Sequence, residues 1–132
     1  MQIEIERALR QIDKDPYAAA QFAGNVLEAS LKAYLDQKGK AYKNGNTLAD
    51  LWKRASDEIG LRPADLDNKD LKMIASGLTH VGHGIAHLRN TRSAAHGKSE
   101  GQMHRIIIKP RHARLAVHAA HTVSAYILEL LE

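Results

Sequence analysis

The sequence predicts an all-α fold in which four to five helices form a bundle. Apolar residues recur at the spacing of an α-helix along nearly the whole chain of 132 residues. No convincing run alternates apolar and polar residues in the way that a sheet core requires. The length fits one domain over residues 1–132, and a hydrophobic fraction of 44% with 26% charged residues is that of an ordinary globular protein.

Signals at the helix ends define the first three helices. We predict a short helix over residues 2–12, then a longer one from Asp15 through residue 38, because aspartate caps a helix N-terminus and the following proline favours its first turn. Thr47 with Asp50 three residues later predicts the start of a third helix, which ends near residue 60. The second helix is expected to end at Gly39 and to bury Ala20, Ala23, Leu27, Leu31 and Tyr34, with Glu28 at the edge of that face.

A fourth helix is predicted over residues 69–90 and a fifth from Pro110 onward. Beside the apolar stripe of the fourth helix, a ridge of Ala75, Gly82 and Ala86 lets another backbone approach closely, either within the fold or across a dimer. Residues 91–109 are expected to be irregular, apart from a short strand at 106–108. The residues expected to face the core are Leu71, Ile74, Leu78, Val81, Ile85 and Leu88 on the fourth helix, and Leu115, Ala119, Val123, Tyr126, Ile127 and Leu130 on the last.

The positive charge of the chain is concentrated in one segment. With 19 basic and 15 acidic residues the net charge is +4. Residues 1–88 carry 12 of each sign, whereas residues 89–114 carry seven basic residues and one acidic residue. Such a segment attracts phosphate, although a solvated basic loop is the alternative. Its basic residues are Arg89, Arg92, Lys98, Arg105, Lys109, Arg111 and Arg114, with His96, His104 and His112 among them.

Several classes of protein are excluded by what the sequence lacks. Without cysteine there is no disulfide framework, thiolate metal site or cysteine nucleophile, which is compatible with a cytoplasmic location. No apolar run approaches the ~18 residues of a membrane span, so we expect no membrane contact. We expect no cofactor, since no glycine-rich phosphate loop is present.

Histidines on the fourth helix raise the question of a metal site. His83 and His87 stand at i, i+4, and His80 shares their helical face, opposite the apolar stripe. A zinc site needs three or four ligands, usually with a carboxylate behind them, and no HExxH pattern is present. We therefore expect no native metal site, and incidental metal binding by these histidines is the alternative.

The strongest candidate for chemistry lies where the fourth helix meets the basic segment, in the stretch Leu-Arg-Asn-Thr-Arg-Ser-Ala-Ala-His-Gly over residues 88–97. Arg89 is an always-charged, bidentate phosphate ligand, and His96 titrates near neutrality. Together they suit RNA cleavage, in which a histidine serves as general base or acid and an arginine stabilises charge on the phosphorus oxygens. The alternative for Arg89 and Asn90 is a helix C-cap with a salt bridge across a dimer.

This stretch resembles the C-terminal domain of bacterial abortive-infection proteins, within the HEPN (higher eukaryotes and prokaryotes nucleotide-binding) superfamily. The superfamily motif is arginine, four to six residues, then histidine, and six residues separate Arg89 from His96. The resemblance extends over roughly residues 5–131, including the helix that opens at Asp15 and carries Glu28. Members often have glycine where this chain has Ser93, so a different turn before His96 is expected.

The resemblance implies a helical bundle that dimerises so that two copies of the motif face each other, often as a metal-independent endoribonuclease. It assigns Arg89 and His96 as the catalytic pair, Asn90 as a positioning or polarising group, Glu28 as a candidate to hold Arg89, and Gly97 to a supporting place in the motif. Cleavage is then expected to leave a 2′,3′-cyclic phosphate.

Two functional hypotheses follow. In the first, the chain cleaves RNA, such as tRNA, in abortive infection or in a toxin system with an antitoxin partner. The sequence has few aromatic residues that could stack on bases, which favours recognition of structured RNA by its shape and backbone. In the second, it is a noncatalytic module that binds RNA or a nucleotide, or dimerises, within a larger defence protein. The residues expected to hold RNA through phosphates are Arg92, Lys98, Arg105, Lys109 and Arg111.

Overall fold

The computed structural model describes residues 2–43, 45–59, 67–94 and 108–131, with the backbone alone at 59 and 89–94. The described residues form five helices and no strand, which confirms the all-α prediction. The helices are α1 (Gln2–Gln11), α2 (Pro16–Gln37), α3 (Leu48–Ile59), α4 (Lys69–Ala94) and α5 (Pro110–Glu129).

The predicted capping residues begin and end the helices as expected. Asp15 Oδ1 accepts a hydrogen bond from Ala18 N at 3.1 Å at the start of α2. Thr47 Oγ1 accepts from Asp50 N at 3.1 Å, and Asp50 Oδ2 accepts from Thr47 N at 3.2 Å, so both members of a capping box satisfy free amides of α3. After α2, Gly39 has φ of 68°, in the left-handed region that glycine enters without a Cβ clash.

The most extensive helix–helix contact joins α2 and α5, which run parallel. At one end, Tyr17 Oη accepts a hydrogen bond from Ile108 N at 3.3 Å. At the other, Gln37 Nε2 donates to Leu131 O at 3.3 Å. The two bonds join start to start and end to end, so the helices stay in register along their length. Small buried residues on both helices let the backbones approach closely, namely Ala19, Ala20, Ala23 and Gly24 on α2 and Ala113, Ala116 and Ala120 on α5.

The remaining core forms around this pair. All five residues predicted to be buried on α2 are buried, and Leu27, Leu31 and Leu35 are fully enclosed. Burying a leucine side chain contributes about 1.5–3 kcal/mol relative to leaving it in water, so this row is a major part of the driving force for folding. The short helix α1 packs against both α2 and α5 through Ile5 and Ala8.

Helices α3 and α4 contact each other through Trp52 and Gly82. Trp52 is fully buried, and a Cβ added at Gly82 would lie 2.6 Å from its ring atoms Cδ2 and Cζ2. Ala75 and Ala86 are buried on the same side of α4. The small-residue ridge therefore serves close packing within the fold, which resolves the two alternatives that the sequence left open.

The apolar stripe predicted for α4 is only partly buried. Ile85 is buried, Leu78, Val81 and Leu88 are half-buried, and Leu71 and Ile74 are 52% and 59% exposed. Because the indole of Trp52 fits only against a residue without a side chain, α4 turns its small-residue ridge toward the core. The larger residues at the start of the helix consequently face solvent, so the prediction that they face the core is wrong.

The predicted inward face of α5 is also rotated from the observed one. Val123 and Ile127 are buried, Ala119 and Leu130 are half-buried, but Leu115 is 71% exposed and Tyr126 is 38% exposed. The buried face instead centres on the alanines that contact α2. A prediction from hydrophobicity gave these alanines little weight, although their small size is what brings the two helices together.

Three further predictions can be compared with the structure: the end of α4, the short strand before α5, and the absence of a membrane-spanning helix. Helix α4 extends to Ala94, so residues 91–94 are helical and not irregular as predicted. The predicted strand at 106–108 falls mostly outside the described residues, and Ile108 itself is buried and not in a strand. None of the helices in the described ranges is long and apolar enough to cross a membrane.

Two tyrosines near the C-terminal end of α2 have pKa values above the ordinary value for tyrosine. A hydrogen bond to Asp36 raises the pKa of Tyr42 above its ordinary value. Burial raises the pKa of Tyr34, and the negative charge of Glu58 adds to the effect. Lys40 Nζ lies 3.6 Å from the same Glu58 carboxylate, which ties the loop after α2 to the end of α3.

We predict that Gly82→Ala lowers the free energy of unfolding by about 1–3 kcal/mol, because its methyl group overlaps the Trp52 ring. Gly84 is the matched control, since it lies in the same helix and a Cβ there meets nothing within 4 Å. Gly84→Ala should raise stability by up to about 1 kcal/mol through helix propensity. Chemical denaturation checks both values, and equal effects at the two positions would contradict the Trp52 contact.

We predict that Asp36→Ala lowers the pKa of Tyr42 toward its ordinary value, because the acceptor that favours the protonated phenol is lost. A group whose pKa is raised by folding stabilises the folded state at pH values below its unfolded-state pKa. That stabilisation is lost as the pH rises through its folded-state pKa. The variant should therefore lose less stability in that alkaline range than the wild type does. Tyrosinate absorbance against pH measures the shift, and Tyr42→Phe identifies which titration belongs to this residue.

Candidate functional site

The motif arginine lies within a continuous helix. Helix α4 places the backbone of Arg89 and Asn90 more than one turn before its last residue, Ala94. The interpretation of this pair as a helix C-cap is therefore wrong, because the helix continues past it. The salt bridge of that same alternative stays a prediction, since only the backbone is described at these positions.

Of the residues that follow Asn90 in the motif, the structure describes the backbone as far as Ala94. Ser93 is helical, so α4 continues through this position. Arg92 is also in α4, where the backbone alone is described. The other motif and RNA-binding candidates His96, Gly97, Lys98 and Arg105 lie outside the described residues.

Glu28 lies on α2, which packs against α4 as well as α5. Its side chain is half-buried, and its Oε1 is 4.0 Å from Lys32 Nζ, one turn along the same helix. That it holds Arg89 stays a prediction.

The two described RNA-binding candidates lie together at the start of α5. Lys109 and Arg111 are exposed and flank Pro110. The backbone amide of Lys109 donates to His112 Nδ1 at 3.2 Å, which fixes the first turn of the helix. Arg114, one turn on, lies 3.9 Å from Asp13 in the turn between α1 and α2. Exposed cations at a helix N-terminus are poorly placed for the helix dipole, which favours anions there.

The histidines of α4 do not form a metal site with other described residues. His80, His83 and His87 are exposed, as the face opposite the core requires. Among the described residues, no group of three histidine, aspartate or glutamate side chains lies close enough to hold a metal ion.

A cleft of about 260 Å³ lies between α1, α2 and the end of α5, and none of the described motif residues lines it. Its floor includes Phe22, Val26 and Leu128, and the hydroxyl of Ser30 donates to Val26 O at 3.0 Å. The serine hydroxyl is therefore engaged with the backbone of its own helix. The two tyrosines with raised pKa values lie near the C-terminal end of α2, where Asp36 and Glu58 are their charged neighbours.

Comparison with known proteins identifies the family. No curated protein and no solved structure matches the chain. A family model described as a HEPN-like domain, Abi_C, matches residues 1–131. This match extends over all five helices, including α4 with its arginine. The chain belongs to the Abi_C family of HEPN-like domains.

Proposed function

We propose that this HEPN-like domain is a metal-independent endoribonuclease that acts in anti-phage abortive infection or in a toxin system. The observation that carries the proposal is the Arg89-to-His96 motif in a chain that belongs to this family, with Arg89 on the regular helix α4. A regular helix holds the arginine backbone in a defined position, which favours an oriented phosphate ligand.

In the proposed reaction, His96 acts on the ribose 2′-hydroxyl as general base, or on the leaving 5′-oxygen as general acid. The 2′-oxygen bonds to phosphorus, the bond from phosphorus to the 5′-oxygen breaks, and the proton lost from the 2′-hydroxyl is matched by one delivered to the leaving oxygen. Arg89 stabilises the negative charge on the remaining phosphate oxygens, and Asn90 positions or polarises the phosphate. The products carry a 2′,3′-cyclic phosphate and a 5′-hydroxyl.

RNA is held through its phosphates, with structured molecules such as tRNA as the proposed substrates. Lys109 and Arg111 support this assignment because both are exposed at the start of α5. Arg92, Lys98 and Arg105 complete the proposed set of phosphate ligands from the same basic segment.

We propose that the active form is a homodimer in which the two motifs meet. Leu71, Met73 and Ile74 are 52%, 66% and 59% exposed near the start of α4, and apolar surface of this kind supports association with a second copy. Arg89 follows Leu71 by 18 residues, about five turns, so the two positions share one side of the helix. A partner on that side of α4 contacts the helix that carries the motif.

The same apolar surface also favours the second candidate function, a noncatalytic module that docks or dimerises within a larger defence protein. The two functions separate in one assay. Purified protein is incubated with total RNA and tRNA in EDTA, and product ends are analysed. Cyclic-phosphate ends support the ribonuclease, whereas a dimer that binds RNA in a salt-sensitive manner and never cleaves it supports the module.

We predict that His96→Ala reduces cleavage in EDTA by about 100-fold or more, because the proton-transfer group is lost. RNA affinity should stay within a few-fold, since no phosphate ligand is removed. His118→Ala is the control, because His118 is an exposed histidine on α5 outside the motif. Cleavage that survives His96→Ala, or that falls equally with His118→Ala, would count against the catalytic assignment.

We predict that Ile74→Asp dissociates the dimer and abolishes cleavage, because a carboxylate is placed in the proposed interface. Ile3→Asp is a matched control, since Ile3 is 69% exposed on α1. Sedimentation velocity measures the oligomeric state, and circular dichroism checks that both variants fold. A monomeric wild type, or equal behaviour of the two variants, would overturn this interface.

A further inference from the structure

Two segments that are distant in sequence, residues 10–17 and 108–114, meet at the end of the molecule where α2 and α5 begin. The hydrogen bond from Ile108 N to Tyr17 Oη joins the starts of these two helices. Arg114 Nη2 lies 3.9 Å from Asp13 Oδ1, which brings the turn between α1 and α2 against the first turns of α5. The end of α1, that turn and the start of α5 therefore form one continuous surface.

This surface carries five exposed basic side chains and is named the basic end. Three of them, Lys109, Arg111 and Arg114, come from α5, and two, Arg10 and Lys14, come from the end of α1 and the following turn. The nearby carboxylates are Asp13, Asp15 and Glu6, so cations are in excess. Asp15 is engaged as the N-cap of α2, where its Oδ1 accepts from Ala18 N.

The two ion pairs at the basic end are too weak to hold its arginines. The Arg114–Asp13 and Arg10–Glu6 pairs both span 3.9 Å, and their arginine side chains are 49% and 79% exposed. Solvent-exposed pairs of this kind contribute about 0–1 kcal/mol. A phosphate can therefore replace either carboxylate at little cost, and both guanidinium groups can bind it.

The basic end offers little for base recognition. Among the described residues that form it, Tyr17 is the aromatic side chain, and it is half-buried with its hydroxyl bonded to Ile108 N. Reading bases requires exposed stacking surfaces or hydrogen-bonding groups directed at base edges. Cations without a stacking platform fit the phosphate backbone of a nucleic acid, independent of its sequence.

We propose that Arg10 and Lys14 bind RNA phosphates together with the basic residues at the start of α5, so that the RNA-binding surface crosses from α5 onto the turn between α1 and α2. This inference rests on the proposed function and adds to it two binding residues outside the basic segment. The contact is independent of RNA sequence, and it holds the RNA while the motif acts on it.

The experiment compares two lysines at opposite ends of α2. Lys14→Glu changes the basic end, and Lys38→Glu makes the same change of charge at the C-cap of α2, about 33 Å away for a helix of 22 residues. Fluorescence anisotropy measures binding of a 2′-O-methyl RNA hairpin, which the proposed reaction cannot cleave. Lys14→Glu should weaken binding about 3- to 10-fold at low ionic strength and reduce the salt slope by about one, while Lys38→Glu stays within about twofold.

A variant of opposite sign separates binding from damage to the fold. Asp13→Asn removes the carboxylate beside Arg114 and should tighten binding of the hairpin, with Glu129→Gln at the far end of α5 as its control. If the wild type binds the hairpin but Lys14→Glu and Lys38→Glu bind it equally well, the RNA-binding surface does not extend onto the turn between α1 and α2, and the proposed function stands. If the wild type binds no RNA at all, both proposals are overturned.

Discussion

The parallel contact between α2 and α5 is the constraint on which the rest of the structure depends. Small residues on both helices bring the backbones together, and hydrogen bonds at Tyr17 and at Gln37 fix the two helices in register at either end. Because both helices start at the same end, their N-termini and the residues beside them share one surface. The short helix α1 packs across both helices and brings its own C-terminal cations to that surface.

The orientation of α4 follows from a second contact, between Trp52 and Gly82. A fully buried indole needs a flat partner, and a glycine in mid-helix supplies it at a cost of about 1 kcal/mol in helix propensity. With its small residues turned inward, α4 leaves Leu71 and Ile74 in water. The packing of the core and the exposure of an apolar surface on the motif helix are therefore two results of one contact.

The chemistry proposed for the motif draws on ordinary side-chain properties more than on burial. Arginine is charged at every accessible pH and the ordinary pKa of histidine lies near neutrality, so these two residue types can bind phosphate and transfer protons. The pKa shifts at Tyr34 and Tyr42 arise from local burial and a hydrogen bond to Asp36, and they concern the packing of the loop after α2. The raised pKa values of these tyrosines therefore reflect local packing, whereas the motif is identified from its residue types and their positions in the sequence.

The sequence by itself determined where α2 and α3 begin, where α2 ends, the buried face of α2 and the residues of the motif. Those features depend on neighbours along the chain, such as Asp15 with Ala18 or Thr47 with Asp50, or on the periodicity of one helix. Only the tertiary structure decided which faces of α4 and α5 are buried, because that depended on the size of Gly82 and of the α5 alanines and not on hydrophobicity. It also decided that Arg10 and Lys14 lie beside the start of α5. Counted along the chain, their charges cancel against the 12 acidic residues of positions 1–88, so the sequence alone drew attention only to the basic segment at 89–114.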